Sequence, residues 1–252
     1  MEEINVDSLW LIKERDKTGK HTNIYHGNFI PQIPNQLIRR YTKESDTILE
    51  PFSGSGTTLY ECEQLKRKYI GFDINQDIVD HVRKTMSGSG FKDYYLKCAN
   101  ALDTKQIEHE FSIAKKKLSI EQVQMVIMHP PYMDIVKFSK EENDLSNIGD
   151  LKIFLEKLKT VCQNTLKFLE TNKYFAIVIG DVYKKSEVVP LSFYCMDMVK
   201  RNFNVKLKGI IIKNIEGNRG KLGINNIWKY RALKSDYFLF KHEYIFIFKK
   251  EF

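Results

Sequence analysis

Short apolar runs alternate with longer amphipathic runs along most of the chain, a pattern typical of repeated β-α units. The apolar runs predict the strands Thr47–Phe52, Tyr69–Ile74, Tyr94–Cys98, Gln124–Met128, Tyr174–Ile179, Val205–Ile212 and Tyr244–Phe248. The amphipathic runs predict the helices Thr57–Arg67, Gln76–Met86, Lys105–Lys117, Leu151–Leu169 and Leu191–Arg201. Because these helices lie between consecutive strands, the strands should be mostly parallel and joined by crossover connections, as in a doubly wound sheet.

The last two predicted strands have no long helical run between them. The stretch between them, residues 213–240, is rich in Gly, Trp, Tyr and basic residues, which indicates an antiparallel pair of strands carrying an excursion. With 252 residues, of which 42% are hydrophobic, the chain can bury the core of one α/β domain. We therefore expect a single domain over residues 1–252, with the excursion as part of it.

The positive charge is concentrated near the end of the chain. The formal net charge is +8, and residues 200–252 contain 13 Lys and Arg against 4 Asp and Glu. Aromatic residues, among them Trp228, Tyr230 and Tyr237, are interleaved with these basic positions. Such a segment is either a solvated basic face or a surface that contacts phosphates, and the candidate base pocket described below favours the second.

Other features limit the class of protein. No uninterrupted apolar stretch is long enough to span a membrane, and the first residues lack the pattern of a signal peptide, so we expect a cytoplasmic protein. The four cysteines are widely separated and form no CxxC pair. They are therefore expected to be core residues rather than zinc ligands or disulfides, and no metal site is predicted.

A glycine-rich string, Glu50-Pro-Phe-Ser-Gly-Ser-Gly-Thr-Thr58, follows the first predicted strand and begins the first predicted helix. Gly54 and Gly56 permit a sharp turn and a close approach of a ligand to the backbone. The free N–H groups at the helix start could hold a ligand carboxylate. A phosphate-binding P-loop would need a Lys before the threonines, and a nicotinamide-binding loop would need glycine at position 59, which is Leu.

Two further strand ends complete the candidate cofactor site. Asp73 ends the second predicted strand about 20 residues after the glycines, where a carboxylate can bind two ribose hydroxyls. The simpler interpretation of Asp73, a helix N-cap, is less favoured because the glycine loop precedes it. Asn100 and Ala101 follow the third strand, where a side chain could meet the edge of an adenine.

The string His129-Pro-Pro-Tyr132 follows the fourth predicted strand. Pro130 and Pro131 have a restricted φ and no N–H, which holds their carbonyls in a fixed, extended direction. Two acceptors that grip the hydrogens of an exocyclic amine would pull it toward tetrahedral geometry and expose its lone pair. Tyr132 would stack on a base flipped out of its helix, a contact worth about 1–3 kcal/mol. The string alone would also suit a turn that ends a strand.

Together these strings resemble the DNA amino-methyltransferases, the group that methylates N6 of adenine or N4 of cytosine. The glycine-rich string is very close to the methionine-binding motif of that group, and His26–Ile38 is similar to its helix-entry motif. The resemblance implies a Rossmann-like α/β fold with a mostly parallel seven-stranded sheet and an antiparallel last strand. It also implies S-adenosylmethionine as the cofactor and direct in-line methyl transfer. No Pro-Cys pair occurs, which excludes the covalent route of C5-cytosine methylation.

The sequence departs from the family at two positions. Asn100 stands where the family often has Asp, and His129 stands where it has Asp, Asn or Ser. In the family this first side chain and the following proline carbonyl hold the amine, and a neutral imidazole still offers one acceptor nitrogen. We therefore expect activity to fall as His129 is protonated near its ordinary pKa of about 6.5, and this loss to vanish in His129→Asn.

The predicted site has three parts. The predicted catalytic residues are His129, Pro130, Pro131 and Tyr132. The predicted cofactor-binding residues are Phe29, Pro31, Glu50, Pro51, Phe52, Ser53, Gly54, Gly56, Thr57, Thr58, Asp73, Asn100 and Ala101. The predicted DNA-binding residues, all in the excursion, are Arg219, Lys221, Trp228, Lys229 and Arg231.

The resemblance implies a methyltransferase that acts on double-stranded DNA, with N6 of adenine favoured over N4 of cytosine. It most often implies a companion restriction endonuclease, a phage enzyme being an alternative, and we expect a monomer or homodimer. Two other functions stay open. An RNA base methyltransferase could use the same scaffold, although few residues remain for an RNA-binding domain. A catalytically silent nucleic-acid-binding subunit would have its only support in His129.

Overall fold

The computed structural model describes residues 3–21, 27–141, 143–215 and 225–251. Its strands are β1 (Leu9–Trp10), β2 (Thr47–Glu50), β3 (Lys68–Asp73), β4 (Tyr94–Cys98), β5 (Val123–Met128), β6 (Leu169–Ile179), β7 (Val182–Lys184), β8 (Glu187–Val189), β9 (Val205–Asn214) and β10 (His242–Lys250). Its helices are α1 (Gln32–Tyr41), α2 (Thr57–Gln64), α3 (Gln76–Met86), α4 (Thr104–Leu118), α5 (Leu151–Leu166), α6 (Leu191–Asn202) and α7 (Asn225–Lys234). Short 3₁₀ turns at Met133–Ile135 and Leu145–Asn147 follow β5.

The strands of the described chain form one eight-stranded sheet, in the order β1-β9-β10-β6-β5-β2-β3-β4, and a separate β7-β8 hairpin. β10 is antiparallel to both β6 and β9, whereas the other neighbours in the large sheet are parallel. The prediction of a Rossmann-like, mostly parallel sheet with an antiparallel last strand is confirmed. The predicted count of seven is low by one, because Leu9 and Trp10 add an edge strand beside Ile212 and Lys213.

The predicted helices and strands are all present, with differences at their ends. β2 ends at Glu50 rather than at Phe52, and α5 ends at Leu166 because the chain from Leu169 already pairs with β5. The sequence pattern does not predict α7 or the β7-β8 hairpin.

The helix α7 lacks the amphipathic pattern by which a surface helix can be predicted from sequence. Ile227, Tyr230 and Leu233 are exposed and Trp228 is half-buried, whereas Ala232 is buried. A surface helix is recognised by apolar residues that recur on one buried face, and α7 lacks that pattern. The helix lies within the predicted excursion, residues 213–240, whose first two positions belong to β9 because that strand continues to Asn214. The next strand, β10, begins at His242, just after the predicted end of the excursion.

Apolar side chains form a core on each face of the sheet, because successive strand residues point to opposite faces. On one face Leu49 and Val126 pack with residues of α4, α5 and α6. On the other face Ile48 and Ile127 pack with residues of α1, α2 and α3. Full burial of one such side chain contributes about 1.5–3 kcal/mol, so the two layers hold the strand ends firmly in place.

The strand order reverses between β2 and β5. The sheet continues from β2 to β3 and β4, and from β5 to β6 and β10. At such a point the connections leave in opposite directions, which opens a crevice beyond the carboxyl ends of the two strands. Both predicted motifs begin at this crevice, since Pro51 follows β2 and His129 follows β5.

Three other observations concern the described residues alone. None of their helices combines the length and the apolar character needed to cross a membrane. No group of three or more His, Cys, Asp or Glu side chains among them is placed to hold a metal ion. Cys62, Cys162 and Cys195 are buried free thiols, and Cys98 is a partly buried one.

Candidate active site

A cavity of about 810 Å³ opens at the carboxyl ends of β2, β3, β4 and β5. Its wall includes most of the predicted cofactor-binding residues, namely Phe29, Glu50, Pro51, Phe52, Ser53, Gly54, Thr57, Asp73, Asn100 and Ala101. It also includes all of the predicted catalytic residues, namely His129, Pro130, Pro131 and Tyr132. The fold therefore brings the two motifs to one cavity.

The glycine-rich loop has the left-handed backbone that its glycines allow. The φ angle is +47° at Gly54 and +81° at Gly56. Gly56 caps the N-terminus of α2, and a Cβ at this position would lie 2.8 Å from Cγ1 of Val82 in α3. Gly56 is therefore needed both for the turn and for the close approach of the two helices.

Three of the predicted cofactor-binding residues, Pro31, Gly56 and Thr58, are not part of the cavity wall. Pro31 is buried at the N-terminus of α1. Oγ1 of Thr58 donates a hydrogen bond to Oε1 of Glu50 at 2.7 Å, because this face of α2 packs against β2. These three residues lie behind the cavity wall, and their contact with a cofactor stays a prediction.

Glu50 lines the cavity, but its carboxyl group is engaged within the protein. One oxygen accepts the hydrogen bond from Thr58, and Oε2 accepts another from the Tyr69 hydroxyl at 2.6 Å. Burial raises the pKa of Glu50 to about 8, although both hydrogen bonds oppose the shift. Glu50 is therefore a neutral acid at pH 7, and it connects β2 to β3 and α2.

Asp73, at the end of β3, is tied to the glycine-rich loop. Its Oδ2 accepts a hydrogen bond from the N–H of Gly54 at 2.7 Å, and its Oδ1 accepts one from the N–H of Asn75 at 3.0 Å. Burial raises the pKa of Asp73 to about 6, and these hydrogen bonds oppose the shift. The alternative that Asp73 is a helix N-cap does not hold, because Asn75 caps α3.

Polar groups line the same part of the wall. Oγ of Ser53 is buried and has no hydrogen-bond partner among the described residues. Oδ1 of Asn100 accepts a hydrogen bond from the N–H of Leu102 at 3.0 Å, which holds this side chain beside Ala101. A ligand that reaches this wall would therefore meet one unpaired hydroxyl and one amide of fixed orientation.

The helix-entry segment closes another side of the cavity. The Asn28 amide donates a hydrogen bond to the Ser55 hydroxyl, which fastens the segment to the glycine-rich loop. The ring of Phe29 packs against the ring of His129, with the centroids 4.8 Å apart. His26, the first residue of the predicted helix-entry motif, lies outside the described residues.

Basic side chains from the N-terminal segment also line the cavity. These are Lys13, Arg15 and Lys17, and the sequence prediction does not include them. Nη1 of Arg15 donates a hydrogen bond to the carbonyl of Phe29 at 2.9 Å, which places this segment beside the helix-entry segment. The first residues of the chain are polar and irregular, so no periodic pattern marks the position of these side chains.

The string from His129 to Tyr132 turns from β5 into the cavity. Nε2 of His129 lies 3.3 Å from the Tyr132 hydroxyl, and the two rings meet edge to face with centroids 5.7 Å apart. The Tyr132 ring also passes close to Gly180, where a Cβ would lie 2.9 Å from Cε2 of the tyrosine. Glycine at position 180 therefore makes room for the ring.

The charge state of His129 differs from the one expected from the sequence. Desolvation lowers the pKa of His129 to about 4, with Glu243 opposing the shift and Lys213 adding to it. The imidazole is therefore neutral near pH 7 and offers an acceptor nitrogen. The expected loss of activity near a pKa of about 6.5 is corrected accordingly, because His129 keeps its neutral form well below that pH.

Two charged residues that the sequence prediction lacks, Lys213 and Glu243, complete the wall beside Tyr132. They are 5% and 7% exposed, and Nζ of the lysine lies 3.1 Å from Oε1 of the glutamate. Oε2 of Glu243 accepts a hydrogen bond from the Tyr132 hydroxyl at 2.9 Å. In the sequence each is a single charged position beside an apolar run, in a region where charged residues are frequent.

The predicted DNA-binding residues do not line the cavity where they are described. Trp228, Lys229 and Arg231 lie on α7, and the Arg231 guanidinium is 5.4 Å from the centre of the Trp228 ring. Arg219 and Lys221 lie outside the described residues. The structure therefore separates this part of the excursion from the cavity wall.

The β7-β8 hairpin connects the excursion to the segment after Tyr132. The hydroxyl of Tyr183 donates to the carbonyl of Ser235 at 3.0 Å, and its ring stacks on that of Tyr237 with centroids 4.1 Å apart. The next residue of β7 is Lys184, and its Nζ lies 2.6 Å from Oδ1 of Asp134. Contacts thus run from the end of α7 to the 3₁₀ turn beside the cavity.

Comparison with known proteins identifies relatives of this chain. Residues 2–84 match the model of a family described as DNA methylase. The chain is 27% identical over 177 residues to the Type II methyltransferase M.MjaII of Methanocaldococcus jannaschii, an alignment that covers 58% of this chain and 33% of that protein. It is 35% identical over 86 residues to the Type II methyltransferase M.Cfr9I of Citrobacter freundii, covering 32% of this chain and 29% of that protein. The chain thus matches about a third of the length of these relatives.

Solved structures with a similar fold include a putative methyltransferase. SMU.1697c, a putative methyltransferase from Streptococcus mutans in complex with SAH, has a TM-score of 0.52 and 12% identity, covering 87% of this chain and 96% of that one. TrmN from Thermus thermophilus has a TM-score of 0.53 and 14% identity, covering 88% of this chain and 49% of that one. At these identities the likeness concerns the fold.

Proposed function

We propose that this chain, which matches a DNA methylase family model over residues 2–84 and is similar to Type II methyltransferases, is a DNA amino-methyltransferase. It would transfer a methyl group from S-adenosylmethionine to the exocyclic amine of a base in DNA. One observation carries the proposal: the loop after β2 and the string after β5 open into the same cavity. We favour N6 of adenine over N4 of cytosine as the acceptor.

The residues around the glycine-rich loop fit S-adenosylmethionine. The cavity, at about 810 Å³, has the size of a small-molecule site. Asp73 would bind the ribose hydroxyls, and Asn100 with Ala101 would border the adenine. Ser53 offers a buried hydroxyl that has no hydrogen-bond partner among the residues that the structure describes. When bound, the cofactor supplies a methyl group activated by a sulfonium.

The His129-Pro-Pro-Tyr132 string would hold the target base. The neutral His129 ring and the Pro130 carbonyl would accept the two amine hydrogens, so that the nitrogen lone pair faces the methyl group. The Tyr132 ring, fixed at its hydroxyl by Glu243 and accommodated by Gly180, would stack on the base. Alignment of the reactants and exclusion of water would supply most of the acceleration.

Positive charge on two segments supports a polyanionic substrate. Lys13, Arg15 and Lys17 line the cavity, and Lys229 and Arg231 lie on α7. Such groups would neutralise DNA phosphates on both sides of the flipped base. We propose that the excursion, in a single methyltransferase domain, contributes to target recognition, and that a restriction endonuclease with the same target is the partner in function.

The test is methyl transfer from labelled S-adenosylmethionine to unmethylated genomic DNA and to total RNA, followed by nucleoside digestion and mass spectrometry. The proposal predicts labelled N6-methyladenine or N4-methylcytosine in DNA. Label in RNA alone would instead assign the protein to RNA methylation. Cofactor binding without label in either polymer would favour a catalytically silent subunit.

The affinity for S-adenosylmethionine is expected to fall below pH 6. The pKa of Asp73 is about 6, so its carboxylate is charged at pH 7 and becomes protonated as the pH drops through 6. Protonation removes an acceptor for the ribose and a hydrogen bond to the Gly54 N–H. We expect the dissociation constant, measured by calorimetry, to rise about tenfold per pH unit below that point.

Two variants separate Asp73 from His129 as the source of this dependence. Asp73→Asn should bind weakly and with little change between pH 5 and about 7, since it has no titrating carboxyl. His129→Asn should keep the break near pH 6, because the pKa of His129 is about 4. A break that remains in Asp73→Asn and disappears in His129→Asn would contradict the assignment.

A further inference from the structure

Lys213 and Glu243 form a buried ion pair across two strands. They are direct partners in the register of β9 and β10, and both line the cavity. Burying two charges is costly, and an apolar pair of similar size is often at least as stable. The pair is therefore poorly explained by stability, and its position beside Tyr132 indicates a role in the site.

The hydrogen bonds of this pair determine the direction of the Tyr132 hydroxyl. Oε1 of Glu243 is taken by Lys213, and Oε2 lies 2.9 Å from the Tyr132 oxygen. A carboxylate only accepts hydrogen bonds, so the single hydroxyl hydrogen of Tyr132 points to Glu243. The Tyr132 oxygen then faces Nε2 of His129, 3.3 Å away, as an acceptor.

This arrangement selects one tautomer of His129. A neutral imidazole carries one proton, and the nitrogen next to an acceptor is the one that holds it. Nε2 of His129 is therefore the donor to Tyr132, and Nδ1 has the free lone pair. In the described part of the chain Nδ1 has no hydrogen-bond partner, and the ring borders the cavity.

We propose that Glu243, oriented by Lys213, is a positioning residue that acts through Tyr132 to hold His129 with its proton on Nε2, so that Nδ1 accepts a hydrogen of the target amine. The inference rests on the proposed function. The proposal also explains why a histidine at this position requires a neighbouring group that fixes its tautomer. An aspartate presents an acceptor in any orientation, whereas an imidazole presents one at a single nitrogen, which must be selected.

The first test is the tautomer itself, in the full chain with ¹⁵N-labelled histidine. Long-range ¹H–¹⁵N spectra distinguish protonated from unprotonated ring nitrogens, and His129→Asp identifies the signals of His129 among those of the six histidines. We expect Nε2 of His129 to be protonated at pH 7. A proton on Nδ1 would overturn the proposal, and this result does not depend on any methylation assay.

The second test is Glu243→Gln. The Lys213 ammonium would draw the amide oxygen of the new side chain, so that its NH₂ group faces the Tyr132 oxygen. The Tyr132 hydroxyl would then turn to Nε2 of His129, and the proton would move to Nδ1, which faces the amine as a donor. We expect kcat to fall about 10²-fold, the His129 spectrum to switch, and the dissociation constant of S-adenosylmethionine to stay within about twofold.

A double-mutant cycle separates this role from a structural one. In the His129→Asp background no tautomer exists, so adding Glu243→Gln should lower kcat by less than about threefold. If Glu243→Gln lowers kcat by the same large factor in both backgrounds, Glu243 acts on the structure and not through the tautomer of His129. That result would overturn the proposal. If the wild-type protein binds the cofactor but methylates neither DNA nor RNA, the proposed function fails, and the spectra alone decide the tautomer.

Discussion

Replacing His129 by leucine is expected to lower kcat for methyl transfer by about 10²–10³-fold, with the affinity for S-adenosylmethionine within about twofold of the wild type. Leucine cannot accept a hydrogen bond, so one amine hydrogen of the bound base would lose its partner as the nitrogen becomes tetrahedral. The wild-type imidazole is neutral near pH 7, so the substitution removes an acceptor without removing a charge. Single-turnover rates with labelled cofactor and calorimetry of cofactor binding measure the two quantities.

His129→Asp is the matched control for the leucine variant. It restores an acceptor of the kind that the family uses at this position, and we expect it to retain more than about a tenth of the wild-type kcat. The rings of His129 and Phe29 have their centroids 4.8 Å apart, and both variants lose this ring-ring contact. Equal losses of kcat in the two variants would assign the effect to packing, and near wild-type activity of His129→Leu would exclude the ring as an acceptor.

The parts of the site that the sequence predicts are those built from contiguous strings. Ser53 and Gly54 follow one buried strand, and His129 follows another, so the alternation of strands and helices places both at the same edge of a parallel sheet. The antiparallel last strand is predictable for a similar reason, because no helix lies between it and the preceding strand. The structure confirms this fold, and the chemical roles of the residues stay predictions.

The parts that the sequence does not predict depend on register and on burial. Lys213 and Glu243 are opposite each other only because β9 and β10 pair in one register. A shift of β9 by one residue would turn Lys213 to the other face of the sheet, away from Glu243. The pKa of His129 likewise follows from desolvation in the folded protein, whereas the sequence supplies only the ordinary value.

Contiguous strings also mislead when one side chain of a motif points away from the ligand. Thr58 belongs to the glycine-rich string, yet α2 turns it toward β2, where it donates to Glu50. The helical period separates it from Thr57, which lines the cavity, because successive residues on a helix point about 100° apart. The same string therefore supplies the cavity wall and its support.

The free energy of unfolding of the wild-type protein is expected to fall as the pH rises from about 5 to 8, and Glu50→Gln should abolish much of this fall. In the unfolded chain Glu50 ionises near its ordinary pKa of 4.5, whereas burial raises the folded-state pKa to about 8. Between these values folding requires proton uptake, so the stabilisation present at low pH is lost as the pH rises. At 1.36 kcal/mol per pKa unit, the upper limit is about 5 kcal/mol.

Comparison of the two proteins isolates Glu50 from other groups. Asp73 also has a raised pKa, of about 6, and contributes a fall of the same sign, but it is present in both proteins and cancels in the difference. Urea unfolding between pH 5 and about 9 should therefore show Glu50→Gln gaining stability relative to the wild type as the pH rises. Parallel curves would mean that Glu50 is ionised in the folded protein at pH 7.

A second variant, Glu50→Leu, would separate the loss of the titrating carboxyl from the loss of its hydrogen bonds. Glutamine can accept from Thr58 through its oxygen and donate to the Tyr69 oxygen through its nitrogen, whereas leucine leaves both hydroxyls buried without the partner they have now. Each orphaned hydroxyl costs about 1–3 kcal/mol, so Glu50→Leu should be less stable than Glu50→Gln by about 2–6 kcal/mol at every pH. Because both variants lack the titrating group, the difference between their unfolding free energies should stay constant with pH. The unfolding free energy of the wild type should instead fall relative to those of both variants as the pH rises.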